Sequence, residues 1–121
     1  MKLKLSTIIL YVKDMQGQVE FYRDRLGLKL AFPANTKDYS DCYWVEFDTG
    51  ACTLALHGGG KGRIGEDAPK IVFKVDDIHA AREELIGRGV KMGKVCEAGP
   101  GSEKCGGADS EGNRISIVAV K

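Results

Sequence analysis

The sequence predicts an α+β fold in which one β-α-β-β-β unit is used twice. Side by side, two such units make a curved, mixed eight-stranded sheet with both helices on its convex side. Three observations carry this expectation. Apolar residues switch between the alternation of a strand and the wider spacing of a helix, always in the same order. That order recurs in the second half of the chain. The halves also align directly, with VKDMQGQVEFYRDRLGLKL (Val12–Leu30) matching VDDIHAAREELIGRGVKM (Val75–Met92). Neither unit buries its sheet face well alone, which is why a pair is expected.

In the first unit, TIILYV at Thr7–Val12 is rich in β-branched and aromatic residues and reads as a strand. Asp14 stands at a helix N-cap, where its carboxylate accepts from the first free backbone N–H groups. Met15, Val19, Tyr22 and Leu26 follow at helical spacing, and Gly27 is suited to the left-handed cap that ends the helix. Leu28–Phe32, Cys42–Asp48 and Thr53–His57 are strand-like, joined by turn-forming segments at Pro33–Ser40 and Thr49–Gly50. The second unit repeats the plan. Lys70–Val75 is a strand, Asp77 caps a helix carrying Ile78, Ala81 and Leu85, and Gly89 closes it. Val90–Val95, Lys104–Ala108 and Arg114–Val120 complete the set. The modules run over about residues 1–60 and 68–121 of a single domain spanning 1–121.

Composition limits the partners. Eighteen basic side chains against seventeen acidic ones leave a net charge of +1, which supplies no field for nucleic acid or an anionic membrane. The 121 residues include 43% apolar and 29% charged side chains, ordinary for a globular domain able to fold without a metal or disulfide. The opening MKLKLSTIILYVKD lacks a small-residue cleavage site and reads as a strand, so the cytoplasm is the expected address. The four cysteines, Cys42, Cys52, Cys96 and Cys105, form no C-x-x-C pair and are expected to be reduced thiols. Buried structural roles are assigned to Cys42 and Cys52, while Cys105, beside Lys104, is the thiol to test for reactivity. Glycine clusters at His57–Gly65 and Gly99–Gly107 read as loops, and neither has the spacing of a phosphate-binding loop.

The string LYVKDMQGQVEFYRDRLGLKL resembles the opening module of the vicinal-oxygen-chelate proteins, the glyoxalase, bleomycin-resistance and dioxygenase superfamily. VDDIHAAREELIGRGVKM resembles its second module, and DSEGNRISIV its closing turn and last strand. The resemblance implies that the sheet forms a cup, that the protein is a homodimer, and that metal-dependent relatives place ligands at four strand positions. Those positions are Thr7, Ala55, Lys70 and Ser116 in this chain. Alanine has no donor atom, lysine is a competing cation, and threonine and serine hydroxyls are weak ligands. The usual divalent metal is therefore not expected, and no cofactor is.

Strand alternation assigns the face inside the cup. Thr7, Ile9 and Tyr11 share it on the first strand, leaving Ile8, Leu10 and Val12 under the helix. Thr53, Ala55 and His57, then Lys70, Val72 and Lys74, then Arg114, Ser116 and Val118 continue it. On the third strand Tyr43, Val45 and Phe47 form the better helix-facing set, which turns Cys42, Trp44 and Glu46 inward. Ligand-binding roles are assigned to Thr7, Tyr11, Trp44, Lys70, Arg114 and Ser116, and catalytic roles, if any, to His57 and Glu46. His79, in the first turn of the second helix, is expected to face solvent. An aromatic surface with a few convergent charges suits a small anionic or aromatic ligand.

Two functions of different class follow. One is a metal-free binding protein resembling the bleomycin-resistance branch, whose members confer antibiotic resistance by sequestering a drug. The other is a lyase, isomerase or dioxygenase-type enzyme using His57 and Glu46 as acid–base groups or around a displaced metal.

Overall fold

A computed structural model describes Lys2, residues 5–59 and residues 69–120. The chain falls into two compact units, Met1–Ile64 and Gly65–Lys121, and each has its own sheet.

In the first unit, β1 (Thr7–Tyr11) leads into α1 (Met15–Glu20), which widens into a π-helical turn over Phe21–Arg25. The Asp14 carboxylate accepts from the Gly17 N–H at 3.0 Å, the cap expected from the sequence. Gly27 follows with φ of 74°, a conformation that a side chain would disfavour. β2 (Lys29–Phe32), β3 (Trp44–Asp48) and β4 (Thr53–His57) complete the sheet in the order β1-β4-β3-β2. β1 runs parallel to β4, and the other pairs are antiparallel.

Burial alternates along β3 as the pleat requires, while the central β4 is buried from Leu54 to Leu56. Leu10, Val45, Phe47, Leu54 and Leu56 are fully buried together with Val12, Met15, Val19, Phe21 and Tyr22. The Tyr22 and Phe47 rings lie 6.2 Å apart, fastening the helical segment to one face of the sheet. Tyr43 departs from expectation. The strand begins at Trp44, after a turn in which the Cys42 N–H bonds to the Tyr39 carbonyl, so Tyr43 escapes the alternation and is 64% exposed. The Cys42–Asp48 strand is shorter by two residues for the same reason.

In the second unit, β5 (Ile71–Lys74) precedes α2 (Ile78–Gly87), capped by Asp77, whose carboxylate accepts from the Ala80 N–H at 3.1 Å. β6 (Lys91–Met92), β7 (Cys96–Glu97), β8 (Ser102–Ala108) and β9 (Arg114–Val120) follow. The sheet order is β5-β9-β8-β6, with β7 also on β8. The expected Val90–Val95 strand shrinks to β6, after which the Gly93 N–H bonds to the Gly106 carbonyl, and β7 lies beyond it as a separate short strand. Among the described residues this makes nine strands, four in the first sheet and five in the second, close to the eight expected. The α+β plan is otherwise as expected.

Ile78, Cys105, Ile117 and Ala119 form the core beneath α2, flanked by Phe73, Ala81 and Leu85. Cys105 thus lies inside and not at a reactive surface: it is fully buried, and its thiol donates to the Gly93 carbonyl at 3.2 Å. Burial pushes its pKa up, against the pull of Arg82, so Cys105 lacks the accessible, low-pKa setting that a reactive thiol needs. Cys96 is the exposed thiol, and all four cysteines are free.

A turn joins β8 to β9. The buried Asp109 carboxylate accepts from the backbone N–H groups of Glu111 and Asn113 and from the Asn113 amide, each at 2.9 Å. Gly112, with φ of 84°, lets the chain reverse inside this network.

Candidate functional site

The face of the first sheet opposite its helix gathers four of the eight site residues singled out from sequence, Tyr11, Trp44, Glu46 and His57. Register places Tyr11 beside His57 and His57 beside Trp44, so one row crosses β1, β4 and β3. The row below it carries Ile9, Ala55, Glu46 and Phe32. Tyr11 is 47% exposed and Phe32 52%, while Trp44, Glu46 and His57 are half-buried.

His57 is the centre of an aromatic cluster. Its ring lies 4.9 Å from that of Tyr11, 4.7 Å from Tyr43 and 5.8 Å from Trp44, the last two edge-on. Such edge-on pairs contribute about 1 kcal/mol each and hold the imidazole in one orientation. The Gly59 N–H donates to Nδ1 of His57 at 2.9 Å. A Cβ at Gly59 would meet the Tyr43 hydroxyl and come within 2.7 Å of His57 Cε1, so a side chain there would push these rings out of their present contact. The glycine-rich segment's remainder, 60–65, lies outside the described residues.

Glu46 serves the indole. Its Oε2 accepts from Trp44 Nε1 at 2.7 Å, a short bond that fixes the ring plane of Trp44 against the sheet. Tyr43 and Gly59 are members of this cluster that the sequence reading missed. The available signal was the Tyr-Trp pair at 43–44 and the glycines directly after His57.

The other assigned residues lie elsewhere. Thr7 is at the far end of β1 from Tyr11, paired with Thr53, and its hydroxyl is 3.2 Å from that of Ser6. Near that end, Leu5, Ser6, Asp48, Gly50, Ala51, Cys52 and Thr53 line an open depression of 410 Å³ that has no aromatic or cationic wall. Lys70, Arg114 and Ser116 belong to the second unit. Lys70 is exposed just before β5, and Arg114 is exposed at the start of β9. Ser116 is buried, and its hydroxyl donates to the Cys105 carbonyl at 3.2 Å. His79 is exposed as expected, with Nε2 3.8 Å from a Glu103 carboxylate oxygen.

Residues 4–117 match the family model for the glyoxalase/bleomycin resistance protein/dioxygenase superfamily. The chain belongs to that superfamily. A relative within reach by sequence is the uncharacterized protein YraH of Bacillus subtilis (strain 168), 32% identical over 114 residues, covering 84% of this chain and 82% of YraH. Two solved structures of the superfamily fold illustrate its range. Lactoylglutathione lyase from Agrobacterium tumefaciens superposes with a TM-score of 0.77 at 18% identity, over 98% of this chain and 95% of its own. TnmS3, an antibiotic binding protein from Streptomyces sp. CB03234, gives 0.73 at 18% identity, over 100% and 99%. An enzyme and a binding protein share the fold about equally, so the fold does not choose between them.

For a glyoxalase-superfamily metal, the residues at the four ligand positions do not fit. Ala55 offers no donor, Lys70 carries a positive charge, Thr7 offers only a hydroxyl, and the Ser116 hydroxyl is engaged by a backbone carbonyl. Among the described residues, no three His, Cys, Asp or Glu side chains gather as a metal site would require. Among the same residues, no helix is long and apolar enough to cross a membrane.

Proposed function

We propose that this protein binds a small aromatic molecule on the open face of its first sheet, without the superfamily's usual divalent metal and without chemistry. The observation that supports this most is the cluster of Tyr11, Tyr43 and Trp44 around His57, which leaves large apolar faces open to solvent. An aromatic surface with one or two fixed polar groups is the usual makeup of a ligand site. The fold accommodates a binding role, since TnmS3, similar in fold, is an antibiotic binding protein. Lys70 and Arg114, exposed cations of the second unit, are proposed separately as groups that suit an anionic ligand. We further propose a cytoplasmic homodimer that contacts neither nucleic acid nor membrane. Light scattering at micromolar concentration checks the dimer, and a monodisperse monomer overturns it.

The enzymatic alternative, with His57 and Glu46 as acid–base groups, draws less support. Each has a polar atom already occupied within the cluster, Nδ1 of His57 by Gly59 and Oε2 of Glu46 by Trp44.

Trp44 is the chain's only tryptophan, so its emission reports directly on this face. Titration with planar aromatic compounds is expected to quench it and to raise the melting temperature in the same concentration range, with no turnover. A Trp44→Leu variant is expected to keep its fold and lose the stabilisation by ligand. Turnover abolished by His57→Gln or Glu46→Gln would establish the enzyme instead. So would about one equivalent of bound transition metal per chain in chelator-free protein.

A further inference from the structure

The bond from Gly59 to His57 fixes which hydrogen-bonding group the cluster presents. A backbone N–H only donates, so Nδ1 of His57 holds the lone pair that accepts it. In the neutral imidazole the ring proton then sits on Nε2. The imidazole therefore offers a donor, and not an acceptor, within a ring of aromatic faces. Rotation of the ring to exchange the two nitrogens would break the Gly59 bond and the packing of Tyr11, Tyr43 and Trp44. Of the neighbouring carboxylate, Oε2 of Glu46 is taken up by the Trp44 indole.

We infer that the ligand is a planar aromatic molecule carrying an acceptor oxygen or nitrogen at its edge, received by the Nε2–H of His57, and that aromatic molecules carrying only a donor are rejected. This rests on the aromatic-binding reading above and specifies the chemistry of its ligand. The same geometry bars the resting imidazole from acting as a base at Nε2. To accept a proton there, it would have to move its own proton to Nδ1 and give up Gly59. His57 is thus a specificity-determining residue.

Coumarin and indole make a matched test, since both are planar bicyclic molecules, one with acceptors only and the other with a single N–H donor. Affinities are read by ligand-observed NMR, which avoids overlap with tryptophan emission. The expected result is coumarin binding tighter than indole by about fivefold, the effect of one hydrogen bond gained against one donor left unpaired. His57→Phe keeps a ring in the cluster and should erase the preference, whereas His57→Gln retains an N–H donor and should restore part of it. Long-range proton–nitrogen NMR of the imidazoles tests the premise without any ligand, with His79→Gln assigning the only other histidine. It should show the pyrrole-type nitrogen of His57 at Nε2. Equal affinity for the two probes, or a pyrrole-type Nδ1, overturns the inference while leaving aromatic binding in place. Failure of both probes to bind overturns the aromatic reading itself, and the inference with it.

Discussion

Across β1, β4 and β3 of the first sheet, one row of the open face reads Tyr11, His57, Trp44. At the same place in the repeat, across β5, β9 and β8, the row reads Lys74, Val118, Lys104. The row beside it reads Ile9, Ala55, Glu46 in the first sheet and Val72, Ser116, Gly106 in the second. On the helix-facing side the halves agree: Leu10, Val45, Phe47, Leu54 and Leu56 in one, Ile71, Cys105, Ile115 and Ile117 in the other, all buried. The helix must be covered by apolar side chains in both halves, so that face is constrained in character. The opposite face carries no such demand and is free to diverge into an aromatic surface in one copy and a cationic one in the other. The proposed recognition chemistry would thus be added to a repeated scaffold without touching what folds it.

The largest test of this division is kinetic. If the helix-facing side of the second sheet is closed, Cys105 should react with a disulfide reagent only through opening of the structure, about a thousandfold more slowly than exposed Cys96. Because burial raises the Cys105 pKa, its thiolate is scarcer at neutral pH, and its rate should keep rising with pH beyond the point where an ordinary thiol levels off. A variant carrying Cys42→Ser and Cys52→Ser leaves only these two thiols, absorbance then resolves a fast and a slow phase, and comparable rates for the two would break the comparison.

The next effect is on stability. Phe47→Ala should cost about 3–5 kcal/mol, from lost burial and the cavity left against Tyr22. Tyr11→Ala, on the opposite face, should cost about 1 kcal/mol from its contact with His57. Urea unfolding reads both, and similar losses would mean that the open face carries the fold after all.

The smallest effect compares the two helix starts. Gly17 and Ala80 occupy the same cap position, yet a Cβ at Gly17 would overlap the Asp14 carboxylate that caps α1. Gly17→Ala should therefore be close to neutral, its gain in helix propensity of about 1 kcal/mol offset by the disturbed cap. In an Asp14→Ala background the same change should stabilise by about 1 kcal/mol. That cycle fails if the two substitutions simply add.

Much of this was legible in the sequence because it depends on local rules. Asp14 and Asp77 mark helix starts by their chemistry, Gly27 and Gly89 mark the ends by their positive φ, and Thr53–His57 and Arg114–Val120 were bounded by turn residues. Parity counted from Thr7 and Ala55 placed Tyr11 and His57 together correctly, because those strands run without a break. Tyr43 was misplaced by the same counting, since parity does not survive the turn before Trp44. Cys105 was judged from its neighbour Lys104, although its partner Ile117 puts it on the helix-facing side. That pairing depends on the β8–β9 register, which a single strand does not reveal. β7 is two residues long and too short to leave a pattern. The roles of Gly59 and Glu46 within the cluster come from hydrogen bonds that only folded geometry specifies.

The sheet orders carry one more consequence, for how the chain is made. In each unit the last strand in sequence sits between the first strand and all the others, since β4 separates β1 from β3, and β9 separates β5 from β8. A chain synthesised from its N-terminus presents TIILY, and later IVFK, well before β4 and β9, the strands they pair with among the described residues, exist. Each half is therefore closed by the last strand to emerge, and until then its opening strand waits with an unpaired edge.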